Sequence, residues 1–207
     1  KKRSFDFISI GQGFSEVFQN KITLGFILII GVIFGGLISF LNISQPLFQE
    51  TFKVGDKFPF YFAGTALIIG CSALINSRLV STFRLEVIVT YALLWVWAWS
   101  GLFIIIYLIF GKLGLLGFMI FSIPAFATLG FLFSNVNTLA LNPMGHIAGT
   151  ASATIGTSSN ILAILVGACT SYFFTGAPTP LIVVFFIGAT FNIALMIVLK
   201  QFKLKNL

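Results

Sequence analysis

Between Lys112 and Lys200 the chain runs for 87 residues, Leu113 to Leu199, without one formal charge and with a single histidine, His146. A folded soluble domain carries roughly 25% charged residues, because its surface has to meet water. Here the figure is 8%, against 58% apolar residues and a mean hydropathy of +1.07. Seventeen charged side chains cannot solubilise a globule of 207 residues. Two cysteines are too few for a disulfide scaffold, and 26 phenylalanines with so little charge exclude a disordered chain. An integral membrane protein remains.

The rest of the chain is divided in the same way. Uncharged windows of 28, 20 and 25 residues lie between Lys21 and Glu50, Lys57 and Arg78, and Glu86 and Lys112. A hydrocarbon core about 30 Å thick takes about 20 apolar residues as a helix, so each window holds one span. Two breaker clusters cut the long window: Asn135 to His146, which contains Asn137, Asn142, Pro143 and Gly145, and Thr175 to Pro180, which contains Gly176 and Pro178. The spacing predicts an all-α membrane protein with six spans near 22–42, 58–77, 87–110, 115–136, 149–173 and 181–199. Continuous apolar runs of this length argue against a β-barrel.

Six spans put both termini on one side. That side carries Lys1, Lys2, Arg3, Lys21, Arg78, Arg84, Lys200, Lys203 and Lys205, and the other carries Lys53, Lys57 and Lys112. Nine against three predicts cytoplasmic ends, with 1–21 as a cytoplasmic tail, 22–199 as the membrane bundle and 200–207 as a basic cytoplasmic C-terminus. The net charge of +7 follows from that orientation and from contact with anionic lipid; scattered loop cations form no nucleic-acid stripe. The amphipathic stretch Phe5-Asp6-Phe7-Ile8-Ser9-Ile10 precedes the first apolar window, so the start is no ordinary signal peptide. It reads as a cut made in the cytoplasmic loop of a longer chain.

Within the spans, Gly31 and Gly35 in the first have the Gly-x-x-x-Gly spacing that lets helix backbones approach. In the fifth, Ser152, Gly156, Asn160, Ala163, Gly167 and Ser171 share a small, polar face, which either packs on a neighbour or borders a watery cavity. The third span, with Trp95, Trp97 and Trp99, and the sixth, polar only at Thr190 and Asn192, read as a lipid-facing pair. The other four would face a common interior. Catalytic chemistry is absent: one loop histidine makes neither a metal site nor a Ser-His pair, and Cys71 and Cys169 read as buried small residues. The chain is expected to be no enzyme and to need no cofactor or metal. All five acids lie in loops or at span ends, so a proton relay has no intramembrane carboxylate here.

The segment Phe131-Leu-Phe-Ser-Asn135-Val-Asn-Thr-Leu-Ala-Leu-Asn142-Pro-Met-Gly145-His146-Ile-Ala-Gly149-Thr-Ala-Ser-Ala-Thr-Ile-Gly156 resembles the tenth-to-eleventh-helix region of Bcr/CflA-type drug:proton antiporters of the major facilitator superfamily. Gln45-Pro-Leu-Phe-Gln49-Glu50 resembles their seventh-helix exit, and Ala63 to Gly70 with Asn76-Ser-Arg78 their eighth helix and following loop. Of the superfamily loop motif Gly-x-x-x-Asp-Arg-x-Gly-Arg-Arg, only Asn76-x-Arg78 and Arg84 remain. The resemblance implies helices 7 to 12 of such a transporter, built from two inverted three-helix blocks. A partner N-terminal half would carry the proton site, and the two would rock about a cavity to export amphipathic small molecules across a bacterial inner membrane.

On that resemblance Tyr61, Thr65, Asn135, Ser159 and Asn160 would line the cavity, with Phe34 and Phe131 as aromatic walls. Asn135 as a helix cap and Tyr61 at the interface are the bland alternatives. Gly31, Gly35, Gly149 and Gly156 are assigned to helix contact. A self-contained half-transporter acting as a homodimer, or a membrane scaffold subunit, would satisfy the same composition.

Overall fold

The structure, a computed structural model, describes the backbone of residues 7–205 and the side chains of residues 11–201. The chain forms α1 (Phe7–Gln19), α2 (Lys21–Pro46), α3 (Phe58–Leu79), α4 (Leu85–Phe110), α5 (Leu115–Leu141), α6 (Ala148–Tyr172) and α7 (Thr179–Lys205), with no strand among the described residues. Five segments are long and apolar enough to cross a membrane: Lys21–Thr51, Gly55–Leu79, Leu85–Phe110, Leu115–Tyr172 and Thr179–Gln201. The protein is therefore an apolar helical bundle of the membrane type.

The fourth segment is 58 residues long and holds two helices, α5 and α6. They are separated by the 3-10 turn Asn142–Ile147, where Pro143 has no N–H to donate and Met144 leaves helical geometry at φ −111°, ψ 21°. Contacts with α2 show that the chain reverses there. Along α5 the partners run backwards: Thr23 Oγ1 donates to the Ala140 carbonyl, Phe34 meets Phe133, Phe40 meets Phe126 and, in the turn Leu47–Thr51 just past α2, Phe48 meets Phe118. Along α6 they run forwards: Gly31 faces Leu162, Gly35 faces Val166, and Ser39 bonds Thr170.

The six long helices begin within two residues of the starts expected from the charge pattern, but α2, α5 and α7 run four to six residues past the expected ends. Charges mark where the hydrocarbon stops, whereas a helix continues until its backbone bonding is interrupted. Asn20 starts α2 by accepting from the backbone N–H groups of Ile22 and Thr23 at 3.1 and 2.9 Å. Gly111, at φ 68°, ends α4 in a left-handed turn that only glycine adopts without strain.

Packing has a simple pattern. The inner helices are α2 and α5, which cross each other. Along α2 lies α6, and along α5 lies α3; α4 packs on α5, α7 on α2, and α4 and α7 on each other. Exchanging the first three long helices with the last three reproduces the same set of pairs. Apart from α4 and α5, helices adjacent in sequence make little contact.

The third and sixth spans, α4 and α7, remain largely exposed, with 22% and 28% of their apolar windows buried, but they also pack on each other: the Trp97 indole N–H reaches Thr190 Oγ1 at 3.0 Å, Gly101 sits under Phe186, and Ser100 and Asn192 are buried. The expectation that the second span faces a common interior is corrected. The most exposed long helix is α3, with 11% of its apolar window buried against 61% for α2. Lipid tails and leucine are equally apolar, so composition cannot say which helix is outermost.

At the end where α2 begins and α5 and α7 finish, α1 lies against α6: Val17 is fully buried and Gly13 meets Thr150. Glu16 accepts from His146 Nε2 at 2.5 Å, on the linker before α6. Lys1, Lys2, Arg3, Phe5 and Asp6 lie outside the described residues. The Glu16–His146 pair is 45% and 60% exposed, so its contribution is small beside a buried valine worth about 1.5–3 kcal/mol. Hydrogen exchange over α1 should therefore change less than about threefold in His146→Ala and rise more than tenfold in Val17→Asp. Equal effects would overturn this ranking.

Candidate functional site

The spans contain no charged side chain except at their ends, so any site within them works through neutral polar groups and aromatic rings. The best-connected of these is a pair of amides. Asn135 Nδ2 donates to Asn76 Oδ1 at 2.8 Å and Asn76 Nδ2 donates back to Asn135 Oδ1 at 3.2 Å. Asn135 Nδ2 also donates to the Phe131 carbonyl one turn earlier, at 2.8 Å. Both residues are almost fully buried, at 1% and 3% exposure. Each amide answers the other, so a polar cluster sits in an apolar interior with its donors and acceptors matched. Asn135 is thus neither a helix cap nor free toward a cavity in this bundle.

The other candidate residues divide among separate surroundings. Thr65 is buried on α3 and donates to the Phe62 carbonyl of its own helix at 2.7 Å. Tyr61, half-buried near the start of α3, stacks on Phe48 at 5.7 Å within an aromatic group that includes Phe52, Phe58 and Phe118. Phe34 pairs with Phe133 between α2 and α5, at 4.4 Å. Phe131 is turned to the α4 side of α5, so the two expected aromatic walls do not face one cavity. Ser159 is buried and donates back to Ile155 O at 2.6 Å, and its own carbonyl lies beside Gly31. Asn160 is exposed.

Glycines mark where backbones meet. A methyl group on Gly31 would lie 2.7 Å from Leu162 Cβ, and one on Gly35 would lie 2.5 Å from Val166 Cβ, so both sit in the α2–α6 contact. Gly149 and Gly156 do not: nothing lies within 4 Å of a methyl placed on either. The expected face of α6 is split. Ala163 and Gly167 turn to α2, while Ser152, Asn160 and Ser171 are exposed. A helical period places residues on one stripe, but the stripe is wider than one neighbour can cover.

Cys71 and Cys169 are exposed rather than buried, because they lie on the outward sides of α3 and α6. Three residues missed by sequence reasoning matter to the packing or polar satisfaction. Gly130 meets the α3 backbone, with a methyl there 2.5 Å from the Ile69 carbonyl oxygen. Asn76 was legible only as part of a loop motif. Asn192, buried at 2%, leaves Oδ1 without a partner beside a central cavity of about 30 Å³ that Thr128 also lines, room for about one water.

No group of three His, Cys, Asp or Glu residues among those described is placed to hold a metal ion. Comparison with family models, with curated proteins and with solved structures finds no match.

Proposed function

We propose that the chain is one half, helices 7 to 12, of a major facilitator-type exporter of amphipathic small molecules. The observation that carries this reading is the helix pairing, which is unchanged when α2–α4 are exchanged for α5–α7. Three helices per block is an odd number, so the second block enters the membrane from the opposite side and the repeat is inverted, as in secondary transporters. The reading takes all six long helices as crossings, the 58-residue segment supplying two.

A second observation supports a missing half. The outward side of α3 carries Ala66, Gly70 and Ser77, and that of α6 carries Ser152 and Asn160, all exposed. Small residues are what membrane helices use to approach one another, and here nothing approaches. An N-terminal six-helix half would cover these faces and enclose Asn160 between the halves. Substrate would meet hydroxyls, amides and aromatic rings, which suits a neutral or weakly polar amphipath. Coupling to protons would use carboxylates of the other half. Both ends of the segment would be cytoplasmic, in a bacterial inner membrane.

The test is export of a fluorescent amphipathic dye from cells carrying the native polypeptide. Asn160→Leu should lower export about three- to tenfold, the value of one or so hydrogen bonds, while the amount of folded protein is unchanged. Export at the native level in a folded Asn160→Leu protein would sink this assignment.

A further inference from the structure

Between α4 and α5 a groove of about 490 Å³ opens on the outside of the bundle. Its walls are Val87, Tyr91 and Trp95 of α4 and Phe131 of α5, and Leu79 and Phe83 line its end at the α3–α4 loop. Pro124 lies at its inner end, where α5 lacks a backbone donor. The groove is almost wholly apolar, yet Tyr91 and Trp95 are 70% and 54% exposed along it. From Val87 to Trp95 it follows α4 for about 12 Å, close to the 15 Å depth of one leaflet.

The mouth is basic. Arg78 precedes Leu79 at the end of α3, and Arg84 follows Phe83 at the start of α4; both are exposed. Glu86 stands near Arg84, but at 3.9 Å and with Arg84 80% exposed the pair is too loose and too wet to neutralise the site. A large aromatic wall also differs from the small-residue faces of α3 and α6, so this side suits a flexible chain better than a packed helix.

We propose that the groove binds an anionic phospholipid, with one acyl chain against Tyr91, Trp95 and Phe131 and the phosphate at Arg78 and Arg84. Arginine suits a phosphate because its planar fork can donate two hydrogen bonds at once. The inference needs the chain to lie in a bilayer with this loop at its surface; it does not depend on transport.

The experiment places the native polypeptide in phosphatidylcholine nanodiscs, adds palmitoyl-oleoyl phosphatidylglycerol, and reads retained lipid by native mass spectrometry. Phosphatidylglycerol should be retained over phosphatidylcholine of the same chains, with about fivefold of that preference lost for each arginine removed in Arg78→Gln and Arg84→Gln. Ala127→Trp, which fills the groove from α5, should abolish retention of both lipids; Ala92→Phe, on the opposite wall, serves if that variant does not fold. Preference that survives loss of both arginines would overturn the headgroup site. Retention unchanged in a folded groove-filling variant would overturn the groove itself.

Discussion

Gly130→Ala is expected to cost about 3 kcal/mol, roughly a hundredfold in the ratio of folded to unfolded protein. At this position α5 approaches α3 so closely that a methyl would lie 2.5 Å from the Ile69 carbonyl oxygen and 2.9 Å from the Ala73 nitrogen. These are backbone atoms, which cannot swing aside as the end of a side chain can. Relief therefore means separating the two helices and losing the dispersion contacts along them. Since α3 has α5 as its main neighbour, it has nowhere else to dock.

Gly70→Ala and Gly156→Ala form the control. Both positions are helical with nothing within 4 Å, so alanine there should be neutral or stabilise by about 0.5–1 kcal/mol through lower backbone entropy in the unfolded chain. Thermal or denaturant unfolding in detergent reads all three. A Gly130→Ala protein as stable as the parent would mean that α3 and α5 do not meet as described.

The second large effect belongs to the amide pair. Asn135→Leu removes both bonds to Asn76 and leaves that amide 3% exposed with its partner gone. An orphaned buried amide costs about 1–3 kcal/mol, whereas replacing both partners removes the polar groups together. Asn76→Leu with Asn135→Leu should therefore recover most of the loss, giving a coupling of about 0.6–1.7 kcal/mol in a double-mutant cycle. Strictly additive losses would show that the two side chains do not interact. If the proposed export function holds, the folded double variant separates stability from export: export that stays low despite restored stability would give the amide pair a role beyond packing.

Some of this was readable without coordinates because it depends on local chemistry. Pro143 and Gly145 in a polar segment break a helix wherever it lies, and the charge-free windows give each span its length through the thickness of hydrocarbon. The Gly31 and Gly35 contact was legible for the same reason: two glycines four residues apart expose a strip of backbone. Gly149 and Gly156 show the limit of that inference. They have similar residues around them, yet face open space, because a glycine permits a close approach without supplying the helix that makes it.

The candidate site was less legible than the spans. Asn135 was visible as a polar residue in an apolar run, but its partner Asn76 lies 59 residues away on another helix. Nothing local to either amide says that they meet. Phe34 and Phe131 were similar by type and separate in place: Phe34 meets Phe133 of α5, and two residues along that helix turn Phe131 by about 200° to the α4 side.

By itself the sequence determined that the chain is a membrane-type bundle of long helices, where those helices begin, and which end carries more basic residues. Burial against lipid and the loss of helical geometry at proline are properties of each segment alone. Only the tertiary structure decided that α2 and α5 are central, that α3 lies outermost, and which glycines and asparagines touch. Those choices are made between helices that are equally apolar, so the fit of surfaces decides them and hydropathy does not.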